Sequence, residues 1–168
     1  MSNPAVLRRR LEAQGFRRLD EASLAEIGPW LRWSPALCAI VMAAGTVLGS
    51  PPVLWTLAVI ALLGAVFPAH PFDLLYNGFV RHLTGTQPFP RHGPQRRFAC
   101  GIAAAWLAGT GLAFHQGATT LGIVLGAALT VVAGIVAVTN FCIPSLVYNT
   151  LFERRASARL GAAQGGRG

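Results

Sequence analysis

The sequence predicts an all-α integral membrane protein: four transmembrane helices forming two hairpins that echo each other as a tandem repeat would, behind an amphipathic N-terminal arm. Three observations lead there. The 168 residues are 53% hydrophobic and only 12% charged, about half the charged share of an ordinary soluble domain. Residues 33–72 and 98–152 form stretches of 40 and 55 residues without one Asp, Glu, Lys or Arg. A charge at the bilayer centre costs ~2.5–3.5 kcal/mol on insertion scales, whereas water imposes no such exclusion. All fourteen basic residues are Arg, and they sit outside those stretches. The apolar content excludes disorder, and a net charge of +8 arranged this way does not suit nucleic-acid binding.

Residues 1–32 form an Arg-rich arm. Pro4–Gln14 reads as a short helix, with Asn3 as N-cap and Pro4 in the first turn, and Asp20–Ile27 reads as another. Arg8-Arg9-Arg10 leads into Leu11-Glu12-Ala13-Gln14-Gly15, which is no apolar export core, so the first transmembrane helix is expected to direct insertion. Leu7, Leu11, Leu24 and Ile27 fall at helical spacing opposite Arg, a pattern suited to an anionic membrane surface. A solvated arm is the alternative.

The membrane domain spans 33–152. Its first helix, about 33–49, is expected to stop at Gly49-Ser50-Pro51-Pro52, because proline removes a donor, and the second covers about 53–69. A loop at 70–97 follows. Helix three, about 98–114, turns at His115-Gln116-Gly117 into helix four, about 118–139. Segments of about 17 residues rise ~25 Å and span with little tilt. Two re-entrant hairpins are the alternative. The tail, 153–168, is basic, small-residued and expected to be flexible. Arg clusters in the arm, the central loop and the tail, and the turns at 50–52 and 115–118 have none. Cytoplasmic segments collect Arg, so both termini and the 70–97 loop are expected in the cytoplasm.

Gly45 and Gly49, and Gly122, Gly126 and Gly134, place small residues along helix faces. Such stripes let helices touch in lipid, within the chain, in a homo-oligomer or against a membrane-protein partner. An internal echo also appears. Leu74-Leu75-Tyr76-Asn77 and Leu146-Val147-Tyr148-Asn149 lie 72 residues apart, each following a proline, Pro71 or Pro144. Two hairpins starting from one side would form a parallel repeat about the membrane normal.

Cys38, Cys100 and Cys142 all fall at the cytoplasmic leaflet, level with His70, Asp73 and Asn140. Polar groups at membrane depth point to function. Three cysteines close no disulfide framework, and the cytoplasm keeps them reduced. For Cys38 and Cys100, packing as small hydrophobes is the plainer reading. Cys142 stands between Asn140 and Pro144, where proline is expected to kink the helix and bare its backbone. His70 and Asp73 read as a proton-handling pair or metal ligands, or as caps of a helix beginning at Pro71. No phosphate loop, HExxH, nucleophile elbow or CxxC occurs, so no catalytic residue, cofactor or metal is expected. Arg81, Arg91, Arg96 and Arg97 are expected at lipid headgroups, or on a cytosolic anion or a partner's acidic face.

Four stretches carry a family resemblance: Phe67–Asn77, Arg81-His82-Leu83-Thr84-Gly85, Pro94-Gln95-Arg96-Arg97-Phe98-Ala99, and Asn140–Tyr148. Over about 33–150 they resemble a bacterial membrane-protein family catalogued as domain of unknown function 4395. The resemblance implies a place in the bacterial inner membrane but no established activity. It also implies members that close on a Cys-x-x-Cys form of the last motif and associate with thioredoxin- or rhodanese-like proteins. Here Ser145 stands at the second cysteine's position, so that motif lacks a resolving thiol. The first expectation is a non-catalytic accessory or assembly subunit of a membrane complex. The alternative is a membrane thiol component that handles sulfur or reducing equivalents through Cys142. A small transporter is the second alternative, though no polar path is evident among the helices.

Overall fold

The computed structural model describes residues 4–16, 21–91 and 93–153. Asn3, expected as a helix cap, Asp20, expected to open the second helix, and residues 154–168 of the tail lie outside the described residues. The helices are α1 (Pro4–Ala13), α2 (Glu21–Ile27), α3 (Trp33–Val47), α4 (Pro51–Val66), α5 (Pro71–Leu75), α6 (Arg81–Thr84), α7 (Pro94–His115), α8 (Thr119–Thr139) and α9 (Ile143–Tyr148). A 3₁₀ turn at Trp30–Arg32 leads into α3, and π-helical turns at Tyr76–Val80 and Asn149–Glu153 follow α5 and α9. No strand occurs among the described residues.

Prolines open helices here rather than closing them. Pro51 and Pro52 occupy the first turn of α4, and Pro71, Pro94 and Pro144 do the same for α5, α7 and α9. First-turn N–H groups have no intrahelical acceptor, so proline loses nothing there and its fixed φ helps. This moves two expected boundaries: the second helix starts at Pro51 instead of 53, and the third at Pro94 instead of 98. Much of the expected 70–97 loop is consequently helical. Nor does Pro144 kink the fourth helix. That helix ends at Thr139, Asn140 takes a left-handed conformation (φ 53°), and Pro144 starts α9. Asparagine tolerates that conformation better than most residues.

Trp30–Val47, Pro94–His115 and Thr119–Thr139 are each long and apolar enough to cross a membrane. A fourth crossing exists if α4 and the stretch Pro71–Thr84, bent by 85° from it, count together. α4 packs most extensively along α7 and α3 along α8, more than α3 packs on α4 or α7 on α8. Met42, Leu54, Leu57, Leu107 and Leu129 form the core of this bundle.

A second core lies at the end of the bundle where α3 and α7 begin. Leu11, Phe16, Ile27, Leu31, Tyr76 and Phe89 are buried together, with the Tyr76 and Phe89 rings stacked at 3.9 Å. Each such side chain contributes about 1.5–3 kcal/mol over leaving it exposed. The apolar face of the arm, read from sequence as lipid-facing or solvated, is therefore covered by protein at Leu11 and Ile27. Two hydrogen bonds fasten the end of α1 to the break between α8 and α9, and a third joins it to Asn149 just after α9. Arg10 Nη1 donates to the Thr139 carbonyl (2.7 Å), Gln14 Nε2 to the Asn140 carbonyl (2.7 Å), and Asn149 Nδ2 to the Ala13 carbonyl (3.0 Å). These are helix-end carbonyls without intrahelical donors, so the arm completes the bundle's hydrogen bonding.

Candidate functional site

α3 and α7 start at the same end of the bundle, and α4 and α8 finish there. One turn into α3, Cys38 follows Ser34, and one turn into α7, Cys100 follows Arg96. Residues four apart share a helix face, so each thiol sits above a polar residue at the bundle's end. His70 comes just after α4, and Cys142 just after α8. All of these side chains line one cavity of about 170 Å³, whose inner wall is apolar, with Met42, Leu57, Trp106 and Leu129. The three cysteines, all free thiols, thus come from three separate segments to one space. Cys38 lies within electrostatic range of Cys100, and Cys100 of Cys142.

A charged network closes the same end. Asp73, 4% exposed, accepts a hydrogen bond from Ser34 Oγ and lies 3.6 Å from Arg96 Nη2. The Arg96 guanidinium also sits 5.2 Å from the Phe16 ring centroid, so charge, hydrogen bond and aromatic face together offset its desolvation. His70 caps α5 through Nδ1, which accepts from the Phe72 N–H at 3.2 Å. That leaves the proton of the neutral ring on Nε2. Burial, and after it the Arg96 charge, pushes the His70 pKa down to about 4, while Asp73 pulls it up. His70 is thus neutral near pH 7, and its position is that of a cap. Asp73 occupies the first turn of α5, and no group of three His, Cys, Asp or Glu able to hold a metal ion occurs among the described residues.

The four arginines expected at headgroups divide. Arg91 is exposed, and Arg81 donates to His82 Nε2 at 3.4 Å on the surface. Arg96 is buried in the network just described. Arg97 donates to the Ala65 and Val66 carbonyls (2.8 and 2.6 Å), completing the C-terminus of α4. Successive helical residues point about 100° apart, which sends Arg96 inward and Arg97 sideways onto α4.

The glycines divide as well. A Cβ at Gly122 would stand 2.9 Å from the Phe114 ring, one at Gly45 3.0 Å from Leu54 and Val53, and one at Gly126 would collide with Thr46. Gly49 instead serves the turn (φ 55°), and nothing lies within 4 Å of a Cβ at Gly134. Three close approaches escaped the sequence reading: Gly64 against the His70 ring, Gly111 against the Trp55 indole, and Gly15 against Gly93. Also missed were Gln14 and Ser34, both bordering the cavity. The parallel four-residue steps Ser34–Cys38 and Arg96–Cys100 were the available signal for Ser34. Ser145 is fully buried, with its Oγ 3.5 Å from the Gln95 carbonyl.

The fold and the cavity define a class: an all-helical, membrane-type bundle with a thiol-lined cavity at one end. The chain belongs to the family described as Domain of unknown function (DUF4395), whose sequence profile matches residues 29–153. All three cysteines, His70, Asp73 and Arg96 fall inside the match, whereas α1 and α2 precede it. Neither a curated protein nor a solved structure matches the chain.

Proposed function

We propose that the protein is a small multi-pass component of the bacterial inner membrane, with both termini in the cytoplasm, whose cavity is a thiol-exchange site. One observation carries this reading: the chain's three cysteines line one cavity together. Cys142, at the break after α8, acts first. Its thiolate attacks the sulfur–sulfur bond of an incoming disulfide, forming a mixed disulfide and releasing one thiol. Cys100 then attacks the Cys142 sulfur, forming an intramolecular disulfide and releasing the second thiol. Two electrons pass from the protein dithiol to the substrate. Ser145 replaces the resolving cysteine of the motif, and Cys100 takes that part from another helix. The partner that restores the dithiol is a cytosolic protein of thioredoxin type, whose own dithiol is oxidised to a disulfide in the exchange. The matching order of helix contacts in the two hairpins supports a parallel tandem repeat, in which Cys38 corresponds to Cys100.

The test uses 5,5′-dithiobis(2-nitrobenzoate) on detergent-purified Cys38→Ser protein. The reading predicts two thionitrobenzoate anions released per chain and no adduct left on Cys142. With Cys38→Ser/Cys100→Ser it predicts one anion and a stable Cys142 adduct. Equal adduct retention in both proteins overturns it. A non-catalytic accessory or assembly role is the second reading, favoured by Gly134 on α8, where an added Cβ would meet nothing within 4 Å among the described residues. Under that reading Gly134→Leu dissociates a larger complex and Cys142→Ser leaves growth unchanged.

A further inference from the structure

We propose that a second hollow, beneath α1, is an anion-binding vestibule that presents a small, soluble, anionic thiol-reactive molecule to Cys142. The inference rests on the thiol reading and names its substrate class. The hollow, about 230 Å³, is bordered by Arg9, Arg10, Asn140 and Cys142, with no carboxylate among its lining residues. Arg10 is held at its rim by the bond to the Thr139 carbonyl. Asn140 is 2% exposed, and its Nδ2 has no hydrogen-bond partner. Glu12, the acid of α1, pairs with Arg8 at 3.4 Å. Gln14 and Cys142 border both this hollow and the thiol cavity, so Cys142 is the shared wall. Two guanidiniums around a space of this size fit a carboxylate or oxyanion, and the adjacent thiol gives that anion something to react with.

Paired alkylating reagents read this directly. The Cys142 thiolate displaces iodide from iodoacetate or iodoacetamide; a C–S bond forms, and iodide leaves with the C–I electron pair. The reagents are close in size and differ chiefly in charge, so the change between variants in the iodoacetate-to-iodoacetamide rate ratio at Cys142, mapped by peptide mass, reports the field there. In phosphatidylcholine vesicles, Arg9→Gln and Arg10→Gln should each lower the ratio about threefold, the effect of one unit charge several ångström away through solvent. Arg91→Gln should leave it unchanged, and 1 M salt should abolish the wild-type preference. Arg9 is exposed, so its variant is informative even if Arg10→Gln loosens the arm. A ratio indifferent to Arg9 overturns the vestibule. An Arg9 dependence that vanishes in phosphatidylglycerol vesicles assigns the hollow to a lipid headgroup and overturns the soluble ligand. The two readings fail separately: loss of Arg9 dependence leaves Cys142–Cys100 exchange intact, and absence of exchange leaves the charge ratio intact.

Discussion

Asp73→Ala tests the network that closes the thiol cavity. The substitution removes a carboxylate 4% exposed and leaves Arg96, 8% exposed, without its 3.6 Å partner. Breaking a buried pair from one side costs about 3–5 kcal/mol, because the surviving charge stays desolvated. Ser34 Oγ loses its acceptor in the same step, which adds about 1 kcal/mol. At ~2–4 °C per kcal/mol for a chain of this size, the melting temperature should fall by roughly 8–24 °C. Removing both charges should not cost twice as much. Asp73→Ala/Arg96→Met deletes the stranded cation and fills its space with an apolar chain, and should recover more than half of the loss. Tryptophan fluorescence melts in a mild detergent at pH 7.5 read all three proteins. A drop under ~4 °C for the single variant, or a double variant no better than the single, would refute the reasoning.

The remaining predictions use the same melts. His70 is neutral when folded because its pKa lies at about 4, whereas the unfolded ring titrates near ~6.5. The unfolded state therefore takes up a proton first, so stability falls as the pH drops from about 6.5 towards 4 and levels off below. His70→Asn keeps an acceptor for the Phe72 N–H and should flatten that part of the pH profile; an unchanged slope would place the titration elsewhere. Gly126→Leu drives a side chain into Thr46 and should cost ~1–3 kcal/mol by overpacking, while Gly134→Leu, in open space, should be neutral in the isolated chain. Similar losses at both sites would contradict the packing described. Arg97→Gln frees the Ala65 and Val66 carbonyls at the end of α4; the expected loss is ~1–2 kcal/mol, and faster hydrogen exchange confined to that end of α4 is the accompanying sign.

The long apolar helices were legible because bilayer physics writes such helices by exclusion: no charge occurs in 33–72 or 98–152. Their boundaries were less so. Proline stops a helix at most positions but opens one in the first turn, and the letters at Pro51, Pro94 and Pro144 look the same in either role. The arm shows a different limit. Periodicity at Leu11 and Ile27 marks an apolar face without saying what covers it, and the cover, Tyr76 and Phe89, lies about 50 residues or more downstream. Arg96 and Arg97 looked alike as basic loop residues, and only the start of α7 at Pro94 sends one inward and the other sideways onto α4. The convergence of the cysteines was not legible, because it depends on which faces of α3 and α7 meet, a property of helix packing rather than of local spacing.

The central claim is that Cys142 and Cys100 share a working cavity. Native membranes carrying the protein, oxidised briefly with diamide, blocked with a thiol reagent and mapped by non-reducing peptide mass analysis, test it most directly. The account predicts an intramolecular Cys142–Cys100 disulfide that forms in preference to intermolecular bonds and disappears in Cys142→Ser. Three cysteines blocked independently, with no intramolecular bond to Cys142, would contradict it.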